Sequence, residues 1–106
     1  MTSLSNNMSK SKESSQEIGV YLHGLRKERK LTLKEVSEYL GIDVSTLSKI
    51  ENGERQLKSH MLKSIAELFQ INYKKLCIDF FSQKLDEEYG NSPFIKDAAK
   101  NWISKI

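Results

Sequence analysis

Apolar residues recur along this chain at the three- and four-residue spacing of helices, and no stretch alternates with the two-residue period of a strand. From about Gln16, the positions Ile18, Tyr21, Leu22 and Leu25 predict a first helix, with the charged run "RKERK" at its exposed end. In "LTLKEVSEYLG", Thr32 stands three residues before Glu35, which is the spacing of a capping box. Leu33, Val36 and Leu40 then share one face, and Gly41 supplies the stop, so the second helix is only about two turns long. Asp43 is placed to cap a third helix by accepting from the amide of Ser45 or Thr46. Leu47 and Ile50 point inward there, Val44, Ser45, Ser48 and Lys49 point outward, and Gly53 ends the helix.

After the polar loop "GERQLKS", the segment "HMLKSIAELFQI" carries Leu62, Ile65, Ala66 and Phe69 as the buried stripe of a fourth helix. Asn72 is a cap for a fifth, whose apolar positions Tyr73, Leu76, Cys77, Phe80 and Phe81 are broader than one stripe requires and continue to Leu85 and towards Tyr89. Such breadth predicts burial on two sides. Ser92 and Pro93 read as the cap and first-turn proline of a sixth helix, with Phe94, Ile95, Ala98, Ala99, Trp102, Ile103 and Ile106 along one apolar face. That face needs a covering surface.

The expected architecture is therefore all-α, with a single modest core, because 106 residues of which 38% are hydrophobic can bury no more. Residues 1–15 read as a disordered polar tail, with neither the apolar run of a signal peptide nor a membrane span. The lone Cys77 cannot form an internal disulfide, and Cys77, His23 and His60 have no metal-ligand spacing, so no metal or cofactor is expected and a reducing, cytoplasmic setting fits. The net charge of +3 leans towards polyanions. Asp86, Glu87 and Glu88 form a solvated charge run with no nucleophile, base and orienting group around them, so no enzyme is expected.

Two short helices joined by a tight glycine turn project the second from a globular surface, the geometry that lets a helix enter the major groove of double-stranded DNA. Short Ser and Thr side chains there allow close approach to base edges, Lys reaches guanine acceptors or a phosphate, and Val meets a thymine methyl. The run "LRKERKLTLKEVSEYLGIDVSTLSKIENGER" resembles the lambda-repressor-like, Xre-type helix-turn-helix family, and the likeness extends over residues 18–76. It implies a five-helix DNA-binding domain over residues 16–76, followed by a C-terminal helical extension over residues 77–106.

By that resemblance Val44, Ser45, Thr46, Ser48 and Lys49 would face bases and nearby phosphates, with Val44, Ser45 and Lys49 foremost as base readers. Asn52, Arg55 and Lys58 would meet the phosphate backbone, as would the first turn of the second helix at Leu33. Arg26 and Glu51 stand where the family often places an ion pair that locks the first helix to the end of the third. Three positions depart from the family pattern. Leu33 replaces a common phosphate-holding Gln, so only backbone amides could act there; Asp43 replaces a Ser or Thr cap and its charge repels phosphate; Leu57 stands where relatives often have Pro.

The resemblance implies a sequence-specific transcriptional regulator bound to a palindromic operator as a homodimer, since one such domain contacts only one half-site. Leu76, Phe80, Phe81, Phe94, Trp102 and Ile103 are the expected dimer interface. Controllers of restriction-modification operons share this build of one domain with an appended helical tail. The alternative is an antitoxin-type module, whose C-terminal helices bind a partner protein while the N-terminal domain represses their shared operon.

Overall fold

The computed structural model describes residues 14–106, and the described residues are all-helical. Most of the tail expected over residues 1–15 lies outside them, and the first helix begins at Ser14 rather than Gln16. Six α-helices follow in order: α1 Ser14–Glu28, α2 Leu33–Leu40, α3 Val44–Glu51, α4 Leu62–Phe69, α5 Tyr73–Tyr89 and α6 Ile95–Ile103. A 3-10 turn, Ser59–Met61, leads into α4.

Three of the helices stop on a turn that a hydrophobic residue closes. At Lys30, Gly41 and Gln70 the backbone turns into the left-handed region, with φ of 58°, 74° and 55°. In each case the next amide reaches back five residues, from Leu31 to the Arg26 carbonyl (3.1 Å), Ile42 to Ser37 (3.0 Å) and Ile71 to Ala66 (3.1 Å). This is the Schellman turn, in which a hydrophobic residue just past the helix packs back on its body. Leu31, Ile42 and Ile71 all pack against the core. Of these three, only Gly41 adopts the left-handed conformation without steric cost, so Lys30 and Gln70 are held there by the packing on either side.

The core gathers Ile18 and Leu22 of α1, Val36 of α2, Leu47 and Ile50 of α3, Leu62, Ile65 and Phe69 of α4, and Leu76 and Phe80 of α5. α1 packs on α3 and α5, α2 on α3 and α4, and α4 on α5. The approach of α1 to α3 depends on Gly19: a Cβ there would collide with the Ile50 carbonyl oxygen and lie 2.9 Å from that of Glu51. Ser37, buried in α2, satisfies its hydroxyl by donating to the Lys34 carbonyl at 3.0 Å.

Beyond Phe80 no residue is buried. α6 buries none of its residues, and Phe94, Trp102, Ile103 and Ile106 are all largely exposed. A radius of gyration of 15.2 Å exceeds the about 12–13 Å of a compact chain this long, as expected when one helical arm stands away from the body. α6 also begins two residues later than the Ser92–Pro93 pair predicts: Ile95 is its first residue, and Phe94 at the cap offers no side-chain acceptor. Ser92 instead contributes its carbonyl to the turn, accepting from the Ile95 amide at 3.5 Å.

Candidate nucleic-acid interface

The sequence sets up α2 and α3 through their caps. Thr32 and Glu35 form the reciprocal box, with the Glu35 amide donating to Thr32 Oγ1 at 3.0 Å and the Thr32 amide donating to Glu35 Oε1 at 2.8 Å. The amides of Leu33 and Lys34 lie between these two bonded positions. Leu33 itself packs its side chain against the core, so an anion at this helix end would meet its amide and not its side chain. At the next helix the Thr46 amide donates to Asp43 Oδ1 at 2.7 Å. That bond, first, holds the Asp43 carboxyl below its usual range; the positive charges of Arg55 and Lys49 nearby add to it.

α3 is sharply two-sided. Leu47, Ile50 and Glu51 are buried; Val44, Ser45 and Lys49 are exposed; Thr46 and Ser48 are half-buried. Val44, Ser45, Ser48 and Lys49 follow the i, i+1, i+4, i+5 spacing and so make one stripe. Asn52 closes the helix with its amide on the Ser48 carbonyl at 3.0 Å, and Gly53 turns the chain with φ of 79°. The Glu54 and Arg55 amides both bond the Lys49 carbonyl, at 2.9 and 3.3 Å, which sets Arg55 at the end of the same stripe. Lys58 is exposed one turn further on, where its carbonyl accepts from the Met61 amide at 3.0 Å.

Behind the stripe α3 is locked to α1. Arg26 donates from Nε to Glu51 Oε2 at 2.8 Å, from Nη2 to Oε1 at 3.0 Å, and from Nη1 to the Leu31 carbonyl at 2.9 Å. This two-pronged pairing suits the planar guanidinium, and it leaves little of the buried carboxylate unsatisfied. His23 joins it, with Nδ1 2.8 Å from Glu51 Oε1. Burial alone would raise the Glu51 carboxyl; the hydrogen bonds from Arg26 and then His23 outweigh that and hold it below its ordinary range.

The loop that carries Arg55 and Lys58 is anchored on its other side by the buried Leu57 and by Gln56, which reaches α5. Gln56 Nε2 donates to Glu87 Oε1 at 3.3 Å, and Lys84 Nζ donates to Gln56 Oε1. Nothing in the spacing of these residues pointed to this contact, because its partners are 28 and 31 residues apart.

Two of the residues expected at a dimer surface are corrected. Leu76 and Phe80 are 4% and 5% exposed, packed into the protomer's own core, because α5 covers α1 and α4 with that face. Phe81, Phe94, Trp102 and Ile103 are exposed. Phe81 touches Phe80 edge-on, with ring centroids 5.4 Å apart. Among the described residues no three His, Cys, Asp or Glu side chains gather where a metal could sit, and no helix is long and apolar enough to cross a membrane.

A helix-turn-helix family model matches residues 22–76, more than half of the chain. The chain belongs to the lambda-repressor-like, Xre-type helix-turn-helix family. This helix-turn-helix protein is 39% identical over 62 residues to the HTH-type transcriptional repressor RghR of Bacillus subtilis, an alignment covering 58% of this chain and 46% of the relative. It is 41% identical over 59 residues to the HTH-type transcriptional regulator RghRB of the same organism, covering 55% and 42%. The aligned stretch thus spans a little under half the length of these two relatives, both of which are regulators by name. Among solved structures, two of the clp gene regulator ClgR from Corynebacterium glutamicum share the fold. One has a TM-score of 0.53 at 21% identity, covering 71% of this chain and 94% of that one. The other has a TM-score of 0.55 at 20% identity, covering 87% of both.

Proposed function

We propose that this helix-turn-helix protein is a sequence-specific transcriptional regulator that binds double-stranded DNA at a palindromic operator as a homodimer. The observation that carries the reading is the exposed stripe of α3, ending in Lys49 with Arg55 bonded alongside it. In this reading α3 enters the major groove, Val44, Ser45 and Lys49 touch base edges, and Thr46 and Ser48 line the approach. Asn52, Arg55, Lys58 and the Leu33 amide meet phosphates on either side, and these contacts supply most of the affinity. The Arg26–Glu51 lock keeps α3 from rocking against α1, which a base-reading helix requires. Asp43 sits within the same surface, and its repulsion of phosphate is offset by Arg55 and Lys49.

The names of the relatives speak of repression and regulation, and neither names a restriction-modification operon. The antitoxin alternative shares the DNA-reading half and differs only in what covers α6. Selection from a random duplex pool tests the reading. The expected outcome is a two-fold symmetric preferred site; recovery of no preferred sequence, with binding that fades uniformly as salt rises, would leave only electrostatic attachment and overturn it.

A further inference from the structure

The end of α5 and the inner face of α6 form an open groove of about 520 Å³ lined by Leu85, Tyr89, Phe94, Trp102 and Ile103, with Ile95 and two alanines along its floor. We infer that this groove is filled by α6 of a second copy of the chain, lying antiparallel to the first across a two-fold axis between Ala98 and Ala99. The inference rests on the dimeric part of the reading above and names the surface that would serve it.

Size is the first support. Seven large apolar side chains from Phe81 to Ile106 are about half or more exposed, and at somewhat under 200 Å² each they present on the order of 700 Å² of apolar surface. That exceeds the patch a soluble monomer usually leaves in water and is close to the roughly 800 Å² that each partner contributes to a standard interface.

The order of residues on the seam is the second. Ile95, Ala98, Ala99 and Trp102 follow the i, i+3, i+4, i+7 spacing of one helix face and all line the groove. In an antiparallel pair centred between the alanines, each Ile95 lies across from the partner copy's bulky indole position, and small residues meet at the crossing. A two-fold interface must be self-complementary in this way, and a seam built for an unrelated protein need not be.

Charge is the third. The last turn of α5 carries Asp86, Glu87 and Glu88 with no basic residue, at the helix end where the backbone dipole already disfavours negative charge. Asp86 and Glu88 flank Leu85 and Tyr89, whereas beside its groove-facing seam α6 and the residues after it carry Lys96 and Lys105, with the acidic Asp97 and the basic Lys100 on the opposite side of the helix. A second α6 laid in the groove brings lysines to the acidic rim.

The test uses the full chain with Cys77→Ser as background. Sedimentation equilibrium is expected to show a dimer that Trp102→Glu weakens at least 100-fold while far-UV helicity is retained. In the same background Ala99→Cys is expected to form an interchain disulfide under mild oxidation, and Lys100→Cys, on the far side of α6, is not. A chain that stays monomeric at high concentration, a dimer indifferent to Trp102→Glu, or cross-linking equal at both cysteine positions would overturn the inference. The DNA-reading proposal fails separately: if the dimer forms as described but selects no sequence, the groove assignment stands and the regulator reading falls. If Trp102→Glu is monomeric and still prefers one half-site sequence, both stand.

Discussion

The two ends of α5 are made from similar residues and meet opposite environments. Phe80 is buried against α1 and α4, whereas Phe81, the next residue, is half exposed, and from there to Ile106 no side chain is buried. The N-terminal body closes its own core through five helices that meet pairwise, and α6 meets almost nothing. An apolar face that a protomer fails to cover costs solubility unless something else covers it. The body therefore closes its own core, and the arm leaves its apolar face uncovered.

The largest break in this contrast comes from truncating one aromatic in each region. Phe69→Ala, at 1% exposure in the body, is expected to cost about 3–5 kcal/mol in denaturant unfolding. Trp102→Ala, at 61% exposure, is expected to change the stability of the monomer by under about 0.5 kcal/mol. Equal losses would mean that the arm is folded onto the body after all.

A smaller effect is expected at the lock between α1 and α3. Glu51→Gln keeps the shape and removes the charge, and should cost about 2–3 kcal/mol at neutral pH. The Glu51 carboxyl is held below its ordinary value of 4.5, so the stabilisation is fully present above that value and is lost as pH falls through the depressed one. Acid titration of stability should therefore be steeper in the parent chain than in Glu51→Gln; parallel curves would show that the pair contributes nothing. Gly19→Ala probes the same contact sterically, and about 1–3 kcal/mol should be lost as the new methyl meets the carbonyls of Ile50 and Glu51.

The smallest effect has the opposite sign. Gln70 holds φ of 55° at the end of α4, and Gln70→Gly should raise stability by about 0.5–1 kcal/mol by removing the left-handed strain. A loss would show that the Gln70 side chain contributes more than its backbone costs.

What the sequence disclosed follows this division between local and distant causes. The Thr32–Glu35 box, the Asp43 and Asn72 caps and the Gly41 turn each depend on residues within five positions, and the structure forms all of them. The start of α6 was misplaced because Ser92–Pro93 has the spacing of a cap, yet the turn from α5 takes both residues into itself. Which of Phe80 and Phe81 faces inward depends on how α5 rolls against α1 and α4, and an apolar run gives no phase for that. The same limit hid the reach of Gln56 to Lys84 and Glu87, and the part of His23 in the Glu51 cluster, since both join residues far apart in the chain. Lys30 and Gln70 gave no sign of ending helices, because neither is a residue that favours positive φ.

In the proposed complex the exposed stripe of α3 reads bases while the residues around it hold phosphates. The most direct measurement compares the selected site with single-base variants for the parent chain, Lys49→Ala and Arg55→Ala, over a range of salt. Lys49→Ala should erase roughly 5- to 100-fold of discrimination at symmetric positions in the two half-sites. Arg55→Ala should weaken all sequences alike and lower the salt slope by about 1. Loss of affinity by Lys49→Ala that is uniform across sequences, with discrimination intact, would contradict the account and place base reading elsewhere on the chain.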